Sequence, residues 1–478
     1  MRVALVSGDG LPVSGLLTVF RSVVQLGLAA GLIETPVVAD LGYSWRPDKP
    51  GFYPAGPPRA TYPKWLLPSL ALPAGGAELA DEWLSLRAAV TATTAGVSGG
   101  IHLRERLEHL AGPYEQYFNS WFEENDIDWV FAVNMTLSDA VPVSLALHRA
   151  AERRWGSGRG GGILFWDHDL FGSYAVHDRS LRVYPTRPTE LTPLPGSRPG
   201  QAWVVVSQRL LDEACTYPVE IRPQLVANPL PIIPTGPPTS PQQAFLEERG
   251  IVMDRPILLV PVRVFLVKGI ELSLRFFFAL HRLREAAGQT PPQLLVFGSL
   301  REDPTYAEEM LALAAANTAG LDVHFLDGVP LSTHQDAAGR WALDEVDLLH
   351  LAQRSGGAVL FTPNRPDVES VGLGPALAAV AGVPCAVTNF LAFHDVYGPE
   401  FACVRFDADT DDLTEAAVEL DAWLVDQARS GADTAGALAK NRDLVRSRFP
   451  DGPWQGLLES LAGQVERWPT GSRPVNVG

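Results

Sequence analysis

Two hydrophobic periods alternate along the chain from its first residues. Short apolar runs such as "RVALVSG", "TPVVADLG", "DWVFAVN", "GGILFWDHD" and "AWVVVSQ" have the length and β-branched content of buried strands. Between them, Thr18 to Ala30, Val141 to Arg154 and "RLLDEAC" carry apolar residues at helical spacing, and "PQLVANPLP" closes the set. Strands apolar on both faces and separated by helices predict a parallel doubly wound sheet. The stretch "PLPIIPTGPPTSPQQ", residues 229–243, is too rich in proline for a helix or inner strand to persist and marks a domain boundary.

A second alternating series follows it: "RPILLVPVRV", a helix over Ile270 to Ala287, "QLLVFGS", a helix over Tyr306 to Ala316, "DVHFLDG", a helix over Glu345 to Arg354, "AVLFTP" and "PCAVTN". A last amphipathic region, Thr414 to Val465, is broken by a turn at "FPDGPW". The pattern therefore predicts an α/β protein of two doubly wound, Rossmann-like domains, 1–235 and 236–445, facing across a cleft, with residues 446–478 as a C-terminal helix and tail. The Pro/Gly-rich segment Ser44 to Pro73 has no helical period and reads as a surface excursion, with a binding lid as the other option.

Charge narrows the partners. With 38 basic and 55 acidic side chains the formal charge is −17, which repels nucleic acid and anionic membrane surfaces. Lysine is scarce: only Lys49, Lys64, Lys268 and Lys440 occur, so a lysine beside a glycine turn stands out. Cys215, Cys385 and Cys403 are odd in number and widely spaced, which suits free thiols better than a disulfide framework or a zinc site. The start "MRVALVSGDG" lacks the regions of a signal peptide, and Leu16 to Leu32 contains Arg21 and Gln25, as an amphipathic helix does. These readings place the protein in the cytoplasm.

In open parallel sheets ligands bind at the carboxyl ends of the strands. At one such end "PVRVFLVKGIE" sets Arg263 and Lys268 before Gly269 and a helix. Two cations there suit a diphosphate, arginine as a fork and lysine as a point charge; cations are unfavourable at a helix N-terminus unless an anion is present. At another end "PDVESVGLGPALAAVAGVPCAV" places Glu369 and the turn Gly372 to Gly374 before an alanine-rich helix. Glycines there let an anion approach unpaired N–H groups, although an ordinary αβ connection has the same outline.

These motifs together resemble the donor domain of GT-B fold glycosyltransferases of the family 4 type. The matching stretches, in order, are "VRVFLVKGIE", "LLVFGS", "VHFLDGV", "LLHLAQRSGGAVLFTP" and "ESVGLGPALAAVAGVPCAVTN", covering nearly all of Arg255 to Asn389. More loosely, "VALVSG...VSG" with Ser14 and Gly15 resembles the opening strand and loop, "ILFWDHD" the strand ending in a family histidine, and "VVVSQRLLDE...LVANPLP" the end of the acceptor domain. The resemblance implies a retaining sugar transferase that uses a nucleotide-diphosphate sugar without metal or other cofactor. Its donor would lie in the C-terminal domain, a small-molecule or saccharide acceptor in the N-terminal one, and the C-terminal helix would pack back on the N-terminal domain.

By the same resemblance, Arg263, Lys268 and the amides around Gly372 and Leu373 hold the diphosphate. Glu369 reads sugar hydroxyls, and His168 sits beside the reacting sugar. Gly298, Ser299, Val329 and Val371 complete the donor loops, while Asn134 and Asp169 face the acceptor. One position departs from the family pattern: Leu377 stands where a second glutamate usually holds the ribose. That departure motivates the alternative of a non-catalytic sugar-nucleotide binder derived from such enzymes.

Other motifs carry less. The triplet Asp167–His168–Asp169 offers carboxylates for Mg²⁺ or Mn²⁺, but a metal reading leaves Arg263 and Lys268 without a task. "GVSGG", residues 96–100, has the spacing of a nucleophile elbow around Ser98 without the preceding strand that an elbow needs. Gly8 and Gly10 lack the third glycine of the dinucleotide fingerprint, which argues against an NAD enzyme. The aromatic excursion and the N-terminal loops suggest an unusual small acceptor, as in specialised metabolism.

Overall fold

A computed structural model describes residues 1–7, 15–42, 61–69, 79, 82, 85–90, 100–137, 140–173, 177–178, 181–182, 184–429 and 431–466. Two parallel sheets form the frame. The first has seven strands in the order Leu66–Pro68, Glu34–Asp40, Arg2–Ser7, Trp129–Val133, Gly162–Asp167, Gln201–Val205 and Gln224–Leu225. The second has six, ordered Val323–Phe325, Gln293–Val296, Ile257–Val260, Ala358–Phe361, Cys385–Thr388 and Val404–Phe406. The apolar runs read from the sequence are these inner strands, and Trp129–Val133, Gly162–Asp167 and Ala358–Phe361 are buried throughout. In each sheet the strand order reverses beside the first strand, which opens a crevice at the carboxyl ends.

Helix ends follow local chemistry. Ser240–Arg249 starts inside the proline-rich stretch, where no helix was expected: Thr239 and Gln242 form a capping box and Pro241 occupies the first turn, where its missing N–H costs nothing. The region from Thr414 breaks twice, at Arg429 to Gly431 as well as at "FPDGPW", giving helices Thr414–Ala428, Ala432–Arg448 and Gly452–Glu466. A 25-residue helix, Gly100–Glu124, runs before the Trp129–Val133 strand, with Pro113 inside it. Ser98 lies outside the described residues.

The last helix packs back on the first domain, as expected. Trp454 is fully buried against Trp166 with ring centroids 4.5 Å apart, and its Nε1 donates to the Ala227 carbonyl at 3.0 Å. Trp129 Nε1 donates to the Leu461 carbonyl at 3.1 Å. Trp454→Ala is therefore expected to cost about 3–5 kcal/mol, read as a drop in chemical-denaturation midpoint.

The domains also meet near the Glu345–Arg354 helix. Arg21 is buried and donates to the Leu331 carbonyl at 3.1 Å and to Asp344 at 3.3 Å, while Leu331 N–H donates to the Thr61 carbonyl at 3.0 Å. Thr61 belongs to the aromatic excursion, whose described part supplies the Leu66–Pro68 edge strand; residues 44–60 and 70–73 lie outside the described ones. Among the described residues no helix is long and apolar enough to cross a membrane.

Candidate functional site

Each described candidate lies at a strand's carboxyl end or on the loop that follows it. Val260 leads to Arg263 and Lys268, Val296 to Gly298 and Ser299, Phe325 to Val329, and Phe361 to Glu369 through Leu373. From the first sheet, Val133 leads to Asn134, and Asp167 to His168 and Asp169. Gly15 opens the Gly15–Ala29 helix and is exposed; Ser14 lies outside the described residues.

Lys268 ends a short 3-10 turn and Gly269 follows with φ +62°. A Cβ on Gly269 would lie 2.0 Å from the Thr362 carbonyl, so glycine is what lets the lysine turn press against the loop after Phe361. Across that contact Lys268 Nζ meets Glu369 Oε1 at 2.6 Å, and both side chains are mostly buried. Arg263 pairs with Glu302 at 3.0 Å, and the Glu302 side chain is only 6% exposed. Both cations thus have carboxylate partners within the protein. Their position at a helix start is balanced without a ligand, so the requirement for an anion does not by itself demand a diphosphate. That helix start is also capped, because the Ile270 N–H donates to the Tyr306 hydroxyl at 2.8 Å.

The Gly372 turn has different surroundings. Gly372 is left-handed, with φ +65°, and a Cβ there would meet the Phe390 and Phe361 rings; one on Gly374 would strike Phe361 at 2.4 Å. Tyr397, fully buried, donates its hydroxyl to the Gly372 carbonyl at 2.5 Å. Leu373 then caps the Gly374–Ala381 helix without a side-chain cap bond, leaving main-chain N–H groups as the helix's positive end. Val371 is buried. Leu377 is 5% exposed and packs in the apolar core, so this position offers no polar contact.

Gly298 shows why the neighbouring loops stay close. A Cβ on it would lie 2.1 Å from the Val264 N, directly under the Arg263 loop. Ser299 Oγ donates to Asp327 Oδ1 at 3.1 Å, as does the Leu300 N–H at 2.9 Å, and Asp327 has φ +52°. Val329 is buried beyond that turn. Gly298→Ala should push the Arg263 loop outward and destabilise the protein by about 1–3 kcal/mol, measured as a shift in denaturation midpoint.

The first domain completes the arrangement. Asn134 is left-handed, with φ +54°, and its Oδ1 accepts from the His168 N–H at 2.7 Å and the Asp169 N–H at 3.2 Å, while its Nδ2 donates to Asp169 Oδ2 at 3.2 Å. Asn134 therefore shapes the His168–Asp169 turn. Asp167 is fully buried and accepts from Trp203 Nε1 at 2.7 Å, and burial pushes its carboxyl up to about 7. His168 is buried as well; its Nε2 meets Asn228 Oδ1 at 3.0 Å, and Nδ1 has no protein partner. Burial pushes its imidazole down to about 3, so it stays neutral at physiological pH.

Asp169 joins the two domains. Burial pushes its carboxyl up to about 6; Lys268 opposes that rise, Glu369 adds to it, and hydrogen bonds from Ser370 and Asn134 oppose it. A carboxylate of the first sheet thus lies within the field of the Lys268–Glu369 pair on the second. Sequence reasoning did not single out Glu302, Ser370 or Tyr397, whereas Asn228 is the asparagine of the "LVANPLP" stretch matched to the end of the acceptor domain. Glu302 follows the "GSL" turn closely enough to have been found there, whereas nothing in the sequence marks Tyr397 as the partner of Gly372.

This architecture is the GT-B glycosyltransferase fold. Sucrose-phosphate synthase from Thermosynechococcus elongatus is similar, with a TM-score of 0.56 at 15% identity over 98% of this chain and 99% of that one. Anabaena HepE, solved in complex with UDP and glucose, has a TM-score of 0.56 at 14% identity over 97% of this chain and 100% of its own. A glycosyltransferase from Rickettsia africae ESF-5 has a TM-score of 0.54 at 12% identity over 98% and 99%. No protein-family model matches the chain, and no curated protein matches it in sequence.

Proposed function

We propose that this protein transfers a sugar from a nucleotide-diphosphate sugar to an acceptor, with the donor held by the second domain and the acceptor by the first. The observation that carries the reading is the meeting of Lys268, Glu369 and Asp169 where the carboxyl ends of both sheets converge. The fold shared with HepE, whose structure holds UDP and glucose, supports it.

In this reading Lys268 and Arg263 neutralise the diphosphate, and the N–H groups at the start of the Gly374–Ala381 helix add a fixed positive end. Lys268 releases Glu369 as the diphosphate arrives, and Glu369 then accepts from sugar hydroxyls. His168, neutral and with Nδ1 unpaired by protein, accepts from a hydroxyl of the same sugar. The bond from the anomeric carbon to the diphosphate oxygen breaks, the acceptor atom bonds to that carbon, and the acceptor proton passes to the departing phosphate on the same face. Transfer proceeds with retention and without a metal ion. The Leu377 side chain gives the ribose no hydrogen bond, so either another residue holds the ribose or base and phosphates carry nucleotide recognition. The acceptor is a small molecule or saccharide, and the protein acts in the cytoplasm.

The test is calorimetric titration with UDP, GDP, ADP and dTDP, with and without EDTA, followed by assay of the matching sugar nucleotides for turnover. Selective binding that survives EDTA, with release of diphosphate when acceptors are supplied, supports the proposal. Failure of every nucleotide to bind overturns the donor site, binding that EDTA removes overturns the metal-free reading, and tight binding without turnover under many acceptors points to a binder.

A further inference from the structure

Cys385 and Cys403 are 18 residues apart in sequence and adjacent in the second sheet. The strands Cys385–Thr388 and Val404–Phe406 run parallel with Ala386 opposite Val404, so the residue before each brings Cys385 beside Cys403. Ala386 and Val404 enter the core on one face of the sheet. Cys385 lies in the core cluster on the other face, and Cys403 packs against that same cluster. The two thiols therefore share a face on neighbouring strands, where Cα atoms lie about 5 Å apart, within the range a disulfide spans.

The flanking backbone is fixed on both sides. Val359 N–H donates to the Pro384 carbonyl at 3.0 Å, ahead of Cys385. Asn441 clasps Ala402, accepting from its N–H at 2.8 Å and donating to its carbonyl at 2.7 Å, ahead of Cys403. Access differs, because Cys385 is buried and Cys403 is half-buried. The Cys385 thiol is held protonated by its hydrogen bond to Cys403 and by burial, which leaves Cys403 as the sulfur that meets an oxidant first. Tyr397 is buried in the same core cluster as Cys385, the cluster against which Cys403 packs, and its hydroxyl donates to the Gly372 carbonyl at 2.5 Å.

We propose that Cys385 and Cys403 are a reversible disulfide site that stiffens the Gly372 turn through Tyr397. The oxidant is a small-molecule disulfide. Cys403 thiolate attacks one of its sulfurs, breaking that S–S bond, releasing one thiol and forming a mixed disulfide. Cys385 gives up its proton and attacks Cys403 sulfur, releasing the second thiol. Two protein thiols are oxidised, one small disulfide is reduced to two thiols, and the protons go to those thiols. The cross-link joins two adjacent strands and suppresses the local opening that would free Tyr397 from Gly372.

The experiment equilibrates the folded protein with reduced and oxidised glutathione at a series of ratios, maps disulfides by non-reducing peptide mass spectrometry, and follows amide hydrogen exchange over residues 369–376. The expected result is one intramolecular Cys385–Cys403 link per chain and roughly tenfold slower exchange of those amides in the oxidised protein. The link should persist in Cys215→Ser and be lost in Cys403→Ser, and in Cys403→Ala should the serine fold poorly. A stable glutathione adduct on Cys403 without closure, or linkage through Cys215 alone, overturns the site. A disulfide with unchanged exchange overturns the connection to the turn. Neither readout depends on the proposed donor, so failure here is distinct from failure of the sugar-transfer reading.

Discussion

Lys268→Ala is expected to lower turnover of the sugar nucleotide by roughly tenfold to a hundredfold, and nucleoside diphosphate affinity with it. The lysine sits 2.6 Å from Glu369, with its side chain four-fifths buried. Removing it deletes the charge that would face the diphosphate and leaves the mostly buried Glu369 carboxyl group without its partner, next to the same phosphates. The two effects have the same sign. Lys268→Arg should not rescue fully, because a planar fork does not fit a site built around a point charge pressed against Glu369. Isothermal titration with the diphosphate and steady-state kinetics check both; wild-type values in the alanine variant remove Lys268 from the site. Glu369→Gln separates the roles further: it is expected to impair transfer more than diphosphate binding, and equal loss of both would assign Glu369 elsewhere.

Asp169→Asn should reduce transfer and raise stability together. The carboxyl titrates near 6 in the folded protein, raised from its ordinary 3.8 chiefly by burial. A raised pKa means that its contribution to stability is fully present below the unfolded value and is lost as pH rises through about 6. At neutral pH the wild type carries that cost, and an uncharged asparagine, still able to bond Asn134, relieves about 1–3 kcal/mol of it. Activity should run the other way. If the ionised form of Asp169 holds the acceptor across from Lys268 and Glu369, wild-type kcat/KM falls as pH drops through about 6, while the variant is slower by roughly tenfold and loses that inflection. A variant that is both slower and less stable would mark Asp169 as a framework residue. Unchanged kinetics would remove it from the site.

Much of this was legible along the chain because it depends on neighbours in sequence. The alternation of buried strands and helices, the glycine turn after "AVLFTP" and the cations before Gly269 are local patterns, and the structure places them where those patterns predict. The misread proline stretch was local too: the capping box at Thr239 and Gln242 outweighed the prolines because only the first helical turn tolerates one. The extra break at Gly431 is marked in the sequence by no more than a single glycine between two helical stretches.

Taken alone, the sequence determined the class of fold, the loops that carry polar groups and the residue types available there, since hydrophobic period and turn chemistry act over a few residues. The tertiary structure alone decided which of those groups meet. Lys268 and Glu369 are 101 residues apart, Asp169 reaches them from the other sheet, and Arg263 is paired with Glu302. Leu377 is turned into the core, and Cys385 is set beside Cys403 by strand register. Such pairings follow from how sheets and helices pack over long separations, and side-chain spacing along one strand or helix does not encode them.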